Sequence, residues 1–135
     1  MDIDEFNRLK YQGYFHSAGE QNVQIKDFSR CPIQAHGCME FLYCISGMEE
    51  IVVNGQSYVI TPGMLRISPP LNISKEDIWV RTPEKTKYID IGFVTRDPFF
   101  EQTIVLDARK NRKIEDLAFK LVKINAGKYE NWFFD

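Results

Sequence analysis

Five side chains in this sequence, His36, Glu40, Arg66, Tyr88 and Asp90, have the types and placing to do chemistry together. His36 and Glu40 lie in QAHGCMEFLYCISG, a stretch with the two-residue alternation of a β-strand. On that reading Gln34, His36, Cys38, Glu40, Leu42 and Cys44 share one face, while Phe41, Tyr43 and Ile45 share the other. KYIDIGFV divides in the same way. Ile89, Ile91 and Phe93 are apolar, whereas Tyr88, Asp90 and Gly92 are polar or small, which suits a cavity wall better than a packed core. Arg66, in MLRIS, shares its face with Met64 and Ser68. Glu40 and Asp90 can accept hydroxyl protons, and Arg66 can grip a carboxylate or phosphate at two points. The same residues also have a purely structural reading. Arg66 and Glu40 would then form an internal ion pair that plugs the interior, with His36 a satisfied core histidine.

Short strands must position these groups. VQIK (23–26), MEFLYCIS (39–46), EEIVV (49–53), QSYVI (56–60), MLRIS (64–68), DIWVR (77–81), KYIDIGFV (87–94) and TIVLDA (103–108) all carry strand patterns. Asn54-Gly55 joins two of them as a tight hairpin, because both residues tolerate positive φ. Pro62-Gly63 marks another turn, and PPLNISKED reads as a loop. Many short strands punctuated by Gly and Pro predict an antiparallel sandwich or barrel.

One segment follows a different period. Ile114, Leu117, Ala118, Leu121 and Val122 repeat at helical spacing, with Gly127 as a C-terminal stop. The apolar stripe of this helix can pack on its own domain or serve a second chain. Residues 1–108 are thus expected to form the β domain, and 109–135 a helical segment that starts a linker or dimerisation region. The segment 1–16, with Tyr14, Phe15 and His16, reads either as a switchable arm over the pocket mouth or as an ordinary packed strand. The terminal KYENWFFD is unusually apolar for a chain end and is expected to lead into further structure.

Composition narrows the function classes. The chain has 135 residues, 44% of them apolar, enough for one domain with a core. Its net charge of −2 argues against direct contact with DNA or an anionic membrane by this piece of chain. Three cysteines without a CxxC pair fit reduced thiols in a cytoplasm better than a disulfide framework or zinc knuckle. MDIDEFNRLK is too acidic and polar for a signal peptide, and no apolar run is long enough to span a membrane.

Two spacings add a family resemblance. His36-x3-Glu40-x6-Gly47 resembles the first motif of the cupin superfamily, and GQSYVITPG, from Gly55 to Gly63, resembles the second. The resemblance implies a mainly β fold: a small jelly-roll antiparallel sandwich, here followed by the amphipathic helix. It also implies that Glu40, Leu42, Arg66 and their face-mates look inward. Metal-binding cupins usually take three histidines and a glutamate, but Gln34 and Arg66 stand at two of those positions here. A guanidinium cannot serve as a ligand and repels the ion, so neither metal nor other cofactor is expected.

The longer run EFLYCISGMEEIVVNGQSYVITPGMLRISPP, with the helix after it, is similar to the N-terminal sensor domain of the AraC family of bacterial transcription regulators. That resemblance implies a small polar effector, such as a sugar or other metabolite, and a helix-mediated homodimer. It also implies DNA contact only through a C-terminal pair of helix-turn-helix units that this chain lacks. The expected protein is therefore a cytoplasmic sensor and not an enzyme. A stand-alone cupin enzyme of isomerase or oxygenase type, and a simple sugar-binding module, are the competing expectations.

Overall fold

The computed structural model describes residues 13–30, 38–69, 76–95 and 101–128. Its strands are β1 (Gly13–Val23), β2 (Lys26–Arg30), β3 (Cys38–Ser46), β4 (Glu49–Val53), β5 (Gln56–Ile60), β6 (Met64–Ser68), β7 (Ile78–Thr82), β8 (Thr86–Thr95) and β9 (Ile104–Asp107). One helix, α1 (Arg112–Lys128), follows them.

The pairing pattern defines the architecture. β4 and β5 form the central hairpin, and outward from it β3 pairs with β6, β2 with β7 and β1 with β8, all antiparallel. A long hairpin paired in this nested way has rolled up, which is the jelly-roll topology. The result is a five-stranded sheet, β1-β8-β3-β6-β9, facing a four-stranded sheet, β2-β7-β4-β5. Strands β4, β5 and β6 have the bounds that their sequence patterns predict.

Local chemistry explains the hairpins. Asn54 and Gly55 have φ of 49° and 82°, and the Asn54 side chain accepts a hydrogen bond from the Asp77 backbone at 2.9 Å. Gly47, at φ 86°, lies so close to the chain that an added Cβ would sit 2.6 Å from the Cα of Thr86. Gly47→Ala therefore combines a left-handed backbone with a clash against main chain, and should cost at least about 2 kcal/mol. A thermal melt checks this, and a midpoint within a degree or two of wild type would refute it.

Alternation sorts side chains between two cores. Leu42, Cys44, Ile51, Val53, Ile60 and Tyr88 fill the space between the sheets. Met39, Tyr43, Leu65, Ile67, Ile89, Ile91 and Leu106 cover the outer face of the five-stranded sheet, where Ala118 of α1 packs on them. Burial of each large aliphatic side chain contributes about 1.5–3 kcal/mol. Ile89 and Ile91 thus lie beneath the helix, as their pattern predicts.

Three expectations need correction. VQIK is no strand of its own, since Val23 ends β1, Gln24 and Ile25 turn, and Lys26 begins β2. Residues 13–16 belong to β1, with Tyr14 opposite Val94 and Phe15 opposite Phe93, so this end of the 1–16 segment is a paired strand. Leu117 is 57% exposed, because α1 rests on the sheet through the small Ala118 and its neighbours Ile114, Leu121 and Val122. Residues 1–12, Gln34, His36 and the terminal NWFFD lie outside the described residues. Among the described residues, no helix is long and apolar enough to cross a membrane.

Candidate functional site

Three adjacent strands of the larger sheet build the inner wall. Leu42 of β3 stands between Arg66 of β6 and Asp90 of β8, and Gly19 of β1 lies beyond Asp90. One row along, Glu40 stands between Ser68 and Gly92. The next row in the other direction pairs Cys44 with Tyr88. The fold therefore brings Glu40, Arg66, Tyr88 and Asp90 onto one inward face. His36 precedes the described part of β3.

Arg66 and Tyr88 close one end of this wall. Arg66 Nε donates to Glu49 Oε1 at 2.9 Å and its Nη2 to Glu49 Oε2 at 3.3 Å, while the Tyr88 hydroxyl donates to the same Oε2. Arg66 also reaches Ser68 Oγ at 3.4 Å. All three members of the clasp are buried, with Glu49 and Tyr88 each 2% exposed. Glu49 comes from β4, so the clasp ties the two sheets together across the interior. Burial, with the Glu49 charge next, holds the Tyr88 phenol far above its ordinary range.

Arg66 thus takes a partner from the opposite sheet, and sequence reading did not single Glu49 out. A signal for it exists. In EEIVV the residues Glu49, Ile51 and Val53 alternate as the buried set, so Glu49 shares the inward face of two core residues.

Glu40 and Asp90 form the other half of the wall. Burial, then repulsion from Asp90, pushes the Glu40 carboxyl up to about 7, against an opposing pull from Arg66. Burial likewise raises Asp90, opposed by Arg66 and by the Gln21 amide, which donates to Asp90 Oδ2 at 2.7 Å. A Cβ built on Gly19, the cross-strand neighbour of Asp90, meets nothing within 4 Å, so there is open space beside this carboxyl. Two acceptors on one inward face, with open space beside one of them, can hold hydrogen-bond donors of a small molecule.

Other features carry less chemistry. Cys44 is a free, fully buried thiol that burial pushes up to about 11, so it is a poor nucleophile and redox partner. A cleft of about 410 Å³ on the opposite face of the sheet runs between Tyr43, Gly63, Arg109 and Arg112. Among the described residues, no three His, Cys, Asp or Glu side chains gather as metal ligands.

No protein-family model matches the sequence. No curated protein matches it either. Solved structures do match by fold. ToxT from Vibrio cholerae O395 is 10% identical, with a TM-score of 0.58 over 85% of this chain and 47% of that one. Unsaturated fatty acid bound wild-type ToxT from Vibrio cholerae strain SCE256 is 9% identical, with a TM-score of 0.57 over 87% and 48%. ToxT from strain O395 bound to (E)-4-(8-methylnaphthalen-1-yl)but-3-enoic acid is 9% identical, with a TM-score of 0.55 over 83% and 50%. At such identities the likeness is one of fold, and it agrees with the jelly roll that the strand pairing defines. The chain spans about half the length of these structures.

Proposed function

We propose that this chain is the effector-sensing domain of an AraC-type transcription regulator, binding a small polar molecule within the jelly roll. The observation that carries the proposal is the inward wall of Glu40, Asp90 and Arg66, with open space at Gly19 next to Asp90. Three ionisable side chains on the inner face of a sandwich cost stability that an apolar lining would not. The sequence resemblance to AraC-family sensors supports the reading, as does the fold shared with ToxT, an AraC-family protein. Two of the ToxT structures hold an organic acid, an unsaturated fatty acid in one and a naphthyl-butenoic acid in the other. For this chain the effector is a sugar or other polar metabolite, held without metal or cofactor and without catalysis.

The strands themselves supply a route from ligand to output. Tyr88 and Asp90 face the interior, while Ile89 and Ile91 between and beside them touch the layer on which α1 packs. An effector that binds one arrangement of β8 better than another biases the seat of the helix by that difference in affinity. The helix then passes the bias to a second copy of the chain, and a downstream basic region contacts DNA. A regulator of this kind works in the cytoplasm.

Two measurements test the reading. The coding frame beyond Asp135 should continue into a basic region with two helix-turn-helix units, and a stop codon there would remove the regulator. Native mass spectrometry of the purified chain should show an organic adduct, whereas a metal adduct would favour a cupin enzyme.

A further inference from the structure

We infer that Glu49 sets the charge class of the effector, closing Arg66 to carboxylates so that the interior selects a neutral or cationic molecule rich in hydrogen-bond donors. The inference rests on the sensing role proposed above and adds the chemistry that the site accepts.

Arg66 is the natural carboxylate anchor of this wall, since a guanidinium matches a carboxylate at two points. The geometry shows both points already engaged. Nε and Nη2 hold the two oxygens of Glu49, and the Tyr88 hydroxyl fixes one of those oxygens from the other side. A ligand carboxylate would have to displace Glu49 and leave it buried without its cation, between sheets where water does not reach. It would also approach Glu40 and Asp90. Among the described inward residues, carboxyls outnumber guanidiniums, with Glu40, Glu49 and Asp90 against Arg66 alone. Discrimination of this kind works by repulsion as much as by fit. A hydroxyl, amide or ammonium group meets the opposite situation, because Asp90 offers an acceptor beside the space at Gly19 and Glu40 offers another one row along the same face. The site therefore differs in kind from one that accepts the organic acids found in the ToxT structures.

A matched pair of probes tests the assignment: hexanoate and hexanamide, equal in length and differing only in the charge and donors of the head group. Ligand-detected NMR titrations are run at pH 8 on the wild-type chain, on Glu49→Gln and on Tyr88→Phe. Wild type should bind the amide at least about tenfold more tightly than the acid. Glu49→Gln, which frees Arg66, should reverse that preference, and Tyr88→Phe, which keeps the ion pair, should retain it. Equal or tighter binding of hexanoate by wild type overturns the inference, as does binding of neither probe. A folded Glu49→Gln that still prefers the amide overturns it too. If Glu49→Gln does not fold, the wild-type ratio decides alone. None of these failures touches the sensing role, which the frame beyond Asp135 and the native-mass adduct test separately.

Discussion

Arg66→Met should destabilise the domain by about 3–5 kcal/mol, while Arg66→Met combined with Glu49→Leu should recover most of that loss. The asymmetry follows from the clasp. Removing the guanidinium leaves the Glu49 carboxylate, 2% exposed, hydrogen-bonded by the Tyr88 hydroxyl but without its counter-charge. A buried charge without its counter-charge is worse than no charge at all. Removing both partners substitutes apolar volume for the pair, next to Leu42, Ile51 and Met64, which already line that interior. Urea denaturation of the two single variants, the double variant and wild type gives the coupling energy directly. A coupling below about 1 kcal/mol would mean that water reaches the pair, and that the clasp does not hold the sheets together. The double variant also separates roles. A stable, folded protein that has lost its effector would show that the pair is kept for recognition rather than for the fold.

The parts of the fold that were legible in the sequence are those where local chemistry and final structure agree. Asn54-Gly55 and Pro62-Gly63 fix two turns by backbone geometry alone, so β4, β5 and β6 fall out of their patterns. β1 was illegible for the converse reason. GYFHSAGEQNV has no apolar alternation, and it is a strand because β8 lies beside it along its length, some seventy residues later in the chain. The face of each site residue could be read from alternation, since Glu40, Arg66, Tyr88 and Asp90 occupy strands with clear period-two patterns. The partner of Arg66 could not. Pairing across a sandwich depends on how the two sheets stack, so alternation within EEIVV can mark the face of Glu49 but not the arginine that it meets. Leu117 shows the same limit on the helix, where periodicity marks an apolar stripe wider than the sheet contact.

Glu40→Gln should make the protein more stable at pH 8 and leave it nearly unchanged near pH 4. The sign follows from proton linkage. In the folded chain the Glu40 carboxyl is pushed up to about 7 from an ordinary 4.5, first by burial and then by Asp90. Between those values the folded state binds more protons than the unfolded state, so stability falls as pH rises through that window. Above about pH 7 both states are ionised and the full penalty is present; below about pH 4.5 both are protonated and it vanishes. A shift of that size would correspond to about 3 kcal/mol. Glu40 is only partly buried, however, and solvent screening reduces the figure to about 1–2 kcal/mol. Chemical denaturation of wild type and variant at a series of pH values measures the difference, with Asp90 titrating in both proteins. A constant offset across the series would show that the carboxyl is not desolvated in the folded chain. The expected convergence at low pH has a functional reading. A glutamine fits the same place at lower cost, so a glutamate there is explained by what it can do when charged. Under the proposed sensing role, that is to accept hydrogen bonds from a ligand, or to hold a cation, beside Asp90.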